Sequence, residues 1–188
     1  MGQGHARGDA RAREIGQGLA EILVPAYREA PRVPVLEVRM VQDVLEIPDR
    51  PWAESTFCHD LCRGDDDRAR DRARRRYDPE ETAVKARGAT VCPVEIQGIS
   101  FGETAIVTNP AELFTAFGIE IREQSPFPVT LISELTNGYC GYVAPEPAFE
   151  ERGYETHRTI YTCRLAKDGG RRITDASVEM LDRLRTEG

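Results

Sequence analysis

Ile99-Ser100-Phe101-Gly102-Glu103-Thr104-Ala105-Ile106-Val107 opens the stretch that decides the fold, and that stretch runs to Thr156. Apolar residues lie on both sides of a Gly-Glu pair. A second apolar run, Pro128 to Leu135, follows, and then Asn137-Gly138-Tyr139-Cys140-Gly141-Tyr142. The stretch closes on Gly153-Tyr154-Glu155-Thr156. It therefore places a carboxylate and several tyrosines on turns after or beside buried strands. Reacting groups sit in such places in α/β and α+β enzymes, because loops carry function on a rigid scaffold.

Working outward, Val91 to Val107 reads as two strands around Gly98. Asn109 reads as a helix N-cap, with Pro110 at the first position and Glu112 at the third. Leu113, Phe114, Phe117 and Ile121 then form that helix's core face. Phe127 to Leu135 is a further strand, ended by the turn signal Asn137-Gly138. Pro145 to Glu151 is a short helix, Ile160-Tyr161-Thr162 an edge strand, and Ile173 to Leu184 a closing helix.

Upstream, residues 8 to 29 form an amphipathic helix whose apolar residues recur at three and four. Pro25 is expected to end or kink it. Val33 to Ile47 is strand-like and rich in β-branched residues, with alternation imperfect enough for a bulge or two short strands. Residues 64 to 88 form a charged, exposed helical segment, with a second short helix starting at Asp78 and Pro79 at its first position. Strands and helices alternate without a strict βαβ rhythm. The fold class is α/β, with mixed α+β left open: a mixed sheet with flanking helices.

The 188 residues read as a single unit. A net charge of −7 argues against general nucleic-acid binding. No stretch approaches the roughly 20 apolar residues that span a bilayer. Met1 to Asp9 lacks the apolar core of a signal peptide, so the chain as written is expected in the cytoplasm. Five cysteines at irregular spacings suggest reduced, mostly buried thiols rather than a disulfide framework. Cys58-His59-x-x-Cys62 gathers three soft donors, but a structural zinc site wants four, so local packing is the reading there.

Phe101-Gly102-Glu103-Thr104, then Asn137-Gly138-Tyr139-Cys140-Gly141-Tyr142-Val143, Phe149 and Tyr154-Glu155, resemble the C-terminal part of the neutral/alkaline, non-lysosomal ceramidase catalytic domain. The resemblance is densest over 94–156. That family consists of zinc amidohydrolases, often exported, that act on ceramide. The resemblance implies zinc as cofactor, with Glu103 and Tyr142 as metal ligands. It makes Tyr154 the catalytic phenol that polarises the scissile carbonyl and stabilises the oxyanion. Taken alone, Glu103 reads as a turn glutamate in a surface ion pair, Tyr142 as a core tyrosine with its hydroxyl satisfied, and Tyr154 as a packing tyrosine.

The family's site also uses two histidines and a serine from the N-terminal part of its domain. His5, His59 and His157 match none of those motifs. The chain therefore reads as a partial catalytic domain, inactive on a lipid amide such as ceramide when alone. It is expected to work with a separate chain carrying the N-terminal half. The alternative is a non-catalytic remnant, or a binding or assembly module, that keeps the C-terminal half of the fold.

Overall fold

The computed structural model describes residues 3–32, 37–51, 67–88, 90–151, 153–159 and 161–186. Cys58, His59 and Cys62 lie outside them, as does the start of the expected strand at Val33. The sequence reading takes 1–188 as one unit; the structure has two compact units, Met1–Val35 and Leu36–Gly188.

Among its described residues the first unit holds one helix, α1 (Gln3–Glu29), and Pro25 lies inside it rather than at its end. Its apolar residues Ile15, Leu19, Ile22, Leu23 and Val24 are exposed.

The second unit is mixed α and β. A four-stranded sheet has the order β1 (Val38–Pro48), β2 (Val91–Phe101), β3 (Thr104–Thr108), β5 (Val129–Ser133). β1 and β2 pair antiparallel, as do β2 and β3, while β3 and β5 are parallel. The parallel pair is joined through β4 (Ala111–Leu113) and α3 (Thr115–Gln124). α2 (Asp67–Arg87) lies between β1 and β2 in the chain, and α5 (Gly169–Thr186) closes it. β4 forms its own small parallel sheet with β6 (Gly141–Val143). α4 (Glu146–Glu151) and a 3-10 turn, Tyr154–Thr156, follow β6.

One face of the large sheet carries the core. Val94 and Ile96 of β2, Ala105 and Val107 of β3 and Ile47 at the end of β1 are fully buried. Ile173, Met180 and Leu181 of α5 and Ile121 of α3 pack among them. Burying such side chains contributes roughly 1.5–3 kcal/mol each. Polar ties hold α5 to β1: Arg183 pairs with Asp43, and Arg172 Nη2 donates to the Glu46 carbonyl at 2.8 Å. The opposite face stays open. Val38, Met40 and Val44 of β1 and Val129 and Leu131 of β5 are exposed there, beside half-buried Ile99, Phe101 and Ile106. Apolar residues on both faces explain why alternation in β1 looks imperfect, although the strand runs eleven residues in one register.

Several local expectations move. Gly98 does not divide two strands. It sits within β2, where a Cβ would come within 2.7 Å of Leu184 Cδ1 and 2.9 Å of Met180 Cγ. The chain instead reverses at Gly102 (φ 58°) and Glu103. Asn109 does not cap a helix. Its Oδ1 accepts the Ala111 N–H at 3.0 Å, which turns the chain into β4, and the helix starts at Thr115. Pro79 lies inside α2 rather than opening a second helix. Tyr161 and Thr162 form a bend, not an edge strand, because Thr159 Oγ1 accepts both their N–H groups.

Candidate active site: a carboxylate among three tyrosines

The small sheet builds the site. Alternation along β4 buries Ala111 and Leu113 and turns Glu112 outward. β6 repeats the pattern, with Gly141 and Val143 buried and Tyr142 outward. The register sets Glu112 directly opposite Tyr142. Backbone hydrogen bonds fix this frame: Cys140 N–H to the Pro110 carbonyl at 3.0 Å, Leu135 N–H to Ala111 at 3.2 Å, and Phe114 N–H to Val143 at 3.1 Å.

Glu112 collects phenols. Tyr139 Oη donates to its Oε1 at 2.9 Å. Tyr142 also hydrogen-bonds to it, and that bond, with some burial and the carboxylate's charge, pushes the Tyr142 phenol up to about 12. Burial first, then the bond to Glu112, pushes Tyr139 up to about 12 as well. Tyr154 stands edge-on to Tyr142, with ring centroids 5.9 Å apart. The 3-10 turn that presents it is closed by Thr156 Oγ1 donating to the Gly153 carbonyl at 2.9 Å. Tyr154 is 60% exposed, so its hydroxyl is open to solvent. Nearby, burial and the Glu112 charge hold the Glu134 carboxyl above its usual value.

The turn before β6 is braced from the large sheet. Asn137, with a left-handed φ of 60°, donates Nδ2 to Glu95 Oε1 at 2.9 Å, and Gln97 Nε2 donates to the same oxygen. A cavity of 280 Å3 lies against this brace, lined in part by Glu95, Asn137, Tyr139 and Cys140.

The structure thus brings Tyr142 and Tyr154 together and leaves Glu103 apart from them. Glu103 lies in the turn just before β3, while β4 follows the other end of that strand, about 17 Å of chain away. Its carboxylate pairs with Arg185 of α5 at 3.1 Å. His157 is buried behind the 3-10 turn. Glu112 was hidden in the sequence by the capping pattern Asn109-Pro110-Ala111-Glu112. The signal that exposes it is the apolar–polar–apolar triplet Ala111-Glu112-Leu113 directly after a buried strand.

No protein-family model matches the chain, and no curated protein matches it. Two solved ceramidase structures are similar to it. One, a ceramidase complexed with C2, is 21% identical and aligns over 52% of this chain and 15% of its own, with a TM-score of 0.45. The other, neutral ceramidase from Pseudomonas aeruginosa, is 14% identical and aligns over 81% of this chain and 29% of its own, with a TM-score of 0.48. The chain spans less than a third of the length of either.

Proposed function

We propose that this chain carries part of a zinc-dependent amidohydrolase site of the neutral ceramidase type. Its reaction would be hydrolysis of the N-acyl amide bond of ceramide (N-acylsphingosine), or of a related lipid amide, to a sphingoid base and a fatty acid. The observation that carries the reading is the pairing of Glu112 with Tyr142 beside Tyr154.

The donors fit zinc in part. Carboxylate and phenol oxygens can both ligate it, and here the register sets the two side chains opposite each other. Among the described residues no three or more His, Cys, Asp or Glu side chains converge on one point. The remaining donors, and the serine, belong in this reading to a separate N-terminal half. When bound, zinc supplies polarisation of the amide carbonyl and activation of the attacking oxygen.

In this proposal Glu112 and Tyr142 hold the metal, and Tyr139 orients the Glu112 carboxylate through its hydrogen bond. Tyr154 donates its phenol proton as a hydrogen bond to the developing oxyanion. A donor of that kind contributes about 10²–10³ in rate. Glu103, occupied by Arg185, stays outside the site.

The test is complementation. The chain alone should release no fatty acid from a short-chain ceramide. Mixed with the histidine- and serine-bearing half of such a domain, it should do so in a zinc-dependent way. Glu112→Gln and Tyr142→Phe should abolish both zinc uptake and release, and Glu103→Gln should leave both unchanged. Release that survives Glu112→Gln and Tyr142→Phe would sink the assignment. A complex that forms but stays inactive with every site residue present would favour the assembly-module reading, to which the open apolar face of the sheet already lends weight.

A further inference from the structure

At the far end of β1 a second cavity, of 180 Å3, opens between the end of α2, the start of β2 and the segment 157–165. Arg87, Arg158, Arg164, Asp49 and Thr90 line it, and none of these belongs to the tyrosine site. The chain as a whole is acidic, at −7. Among the described residues that line this cavity, three guanidinium groups stand against one carboxylate.

That carboxylate is already committed. Asp49 accepts Arg164 Nε on Oδ1 and Arg164 Nη2 on Oδ2, both at 2.9 Å, and Thr90 Oγ1 donates to Oδ2 at 2.5 Å. Arg158 lies 3.8 Å from the same oxygen. Its side chain is only 3% exposed. Its Nε donates to the Arg50 carbonyl at 2.6 Å and its Nη1 to the Thr159 carbonyl at 3.2 Å. Burial is the main cause, with the neighbouring Arg50 and Arg164 charges adding to it, of a depressed Arg158 pKa, although Asp49 opposes the shift.

The frame around these groups is fixed. Asp49 N–H bonds to the Thr90 carbonyl at 2.8 Å, Arg50 N–H to Arg164 at 2.7 Å, and Ala166 N–H to Pro48 at 2.8 Å. Three chain segments thus hold Arg158 and Arg164 in place before any ligand arrives, which removes much of the ordering cost of binding. Guanidinium forks match the paired oxygens of an oxyanion.

We propose that this cavity binds a phosphate group between Arg158, Arg164 and Arg87. Arg158 and Arg164 form its floor, and Arg87, exposed at the end of α2, closes its rim.

Calorimetric titration of the full chain tests this, with sodium chloride at matched ionic strength as the blank. One arm uses inorganic phosphate and the other phosphoethanolamine, a soluble monoester. Saturable binding at one site per chain is expected in at least one arm. Both arms binding identifies a bare oxyanion site; the monoester alone binding identifies a site for a phosphorylated head group. Arg158→Gln should abolish the heat, but that side chain is buried and the variant risks misfolding. Arg87→Gln carries the test, because Arg87 is exposed: it should weaken binding about tenfold with the melting temperature of the phosphate-free chain unchanged. No saturable heat above the blank in either arm, or equal affinity in wild type and Arg87→Gln, overturns the proposal.

Discussion

Glu112 and Tyr142 face each other across the parallel pairing of β4 with β6, and the carboxylate keeps the phenol protonated. Tyr139 binds the same carboxylate from the adjoining turn. Removing the negative charge should therefore lower both phenols, Tyr142 more than Tyr139, for which burial is the larger cause. In Glu112→Gln the highest-titrating tyrosines should move down from about 12 toward the ordinary value of 10.0. Phenolate absorbance against pH reads this directly. Glu103→Gln is the control and should leave the curve in place, since Glu103 pairs with Arg185. Identical curves for Glu112→Gln and wild type would show that the carboxylate does not govern the cluster.

Much of this arrangement was legible in the sequence, and the part that was not has a physical cause. The Asn137-Gly138 turn announced itself by residue type, whereas Tyr142 and Tyr154 stood out only through the family resemblance. β5, α4 and α5 followed from apolar runs and periodicity. Glu112 did not, because Asn-Pro-x-Glu satisfies helix-start rules that act over four residues. The structure settles the matter over a longer range: β4 is only three residues long and exists because β6, thirty residues on, pairs with it. Gly98 misled for a similar reason. A glycine inside a strand usually marks a break, but here it makes room for Met180 and Leu184, more than eighty residues away. Glu103 drew attention through the resemblance, while its local context, an exposed turn opposite an arginine-bearing helix end, matched the plainer ion-pair reading.

Gly141 leads into Tyr142, and the fold leaves no room for a side chain there. Its φ is +82°, and a Cβ would lie 2.7 Å from both Thr162 Cα and the Tyr161 carbonyl oxygen and 2.8 Å from Cys163 N. All three are backbone atoms, so no side-chain rotation relieves the clash. Gly141→Ala should cost about 1–3 kcal/mol from overpacking, with left-handed strain on top. Because β6 must shift, the Tyr142 titration should change with it. Chemical denaturation gives the first quantity and phenolate absorbance the second. A variant as stable as wild type would contradict this placement of β6 against residues 161–163.

The open face of the large sheet should bind an apolar fluorescent dye. Register aligns Met40, Ile99, Ile106 and Leu131 in one row across four strands. Val38, Phe101 and Val129 extend the next row. Contiguous apolar surface of this kind exceeds the scattered exposure normal for a soluble monomer. Met40→Asp with Leu131→Asp should lower dye fluorescence severalfold. Both residues are more than half exposed, so the melting temperature should move little. Unchanged fluorescence in the double variant would mean the dye binds elsewhere.

Stability should fall in alkali, and the direction follows from the buried acids. Burial pushes the Cys140 thiol from 9.0 up to about 12. Tyr139 and Tyr142 rise from 10.0 to about 12. Cys92 and Cys163 rise as well, chiefly through burial. In each case the folded chain holds its proton at a pH where the unfolded chain has released it. The unfolded state then binds fewer protons, so stability decreases with rising pH. The contribution is complete below about pH 9 and is lost between there and about pH 12. Urea unfolding at stepped pH should show midpoints that are level up to about pH 9 and then decline. Cys140→Ala should make that decline shallower, since it removes one of the thiols that titrate from about 9.0 in the unfolded chain. Native Cys140 should also resist alkylation at pH values where a free thiol reacts readily, because the thiolate is the nucleophile. A flat midpoint through the alkaline range, together with rapid labelling of Cys140 in the folded chain, would place that thiol at the surface instead of behind the tyrosine turn.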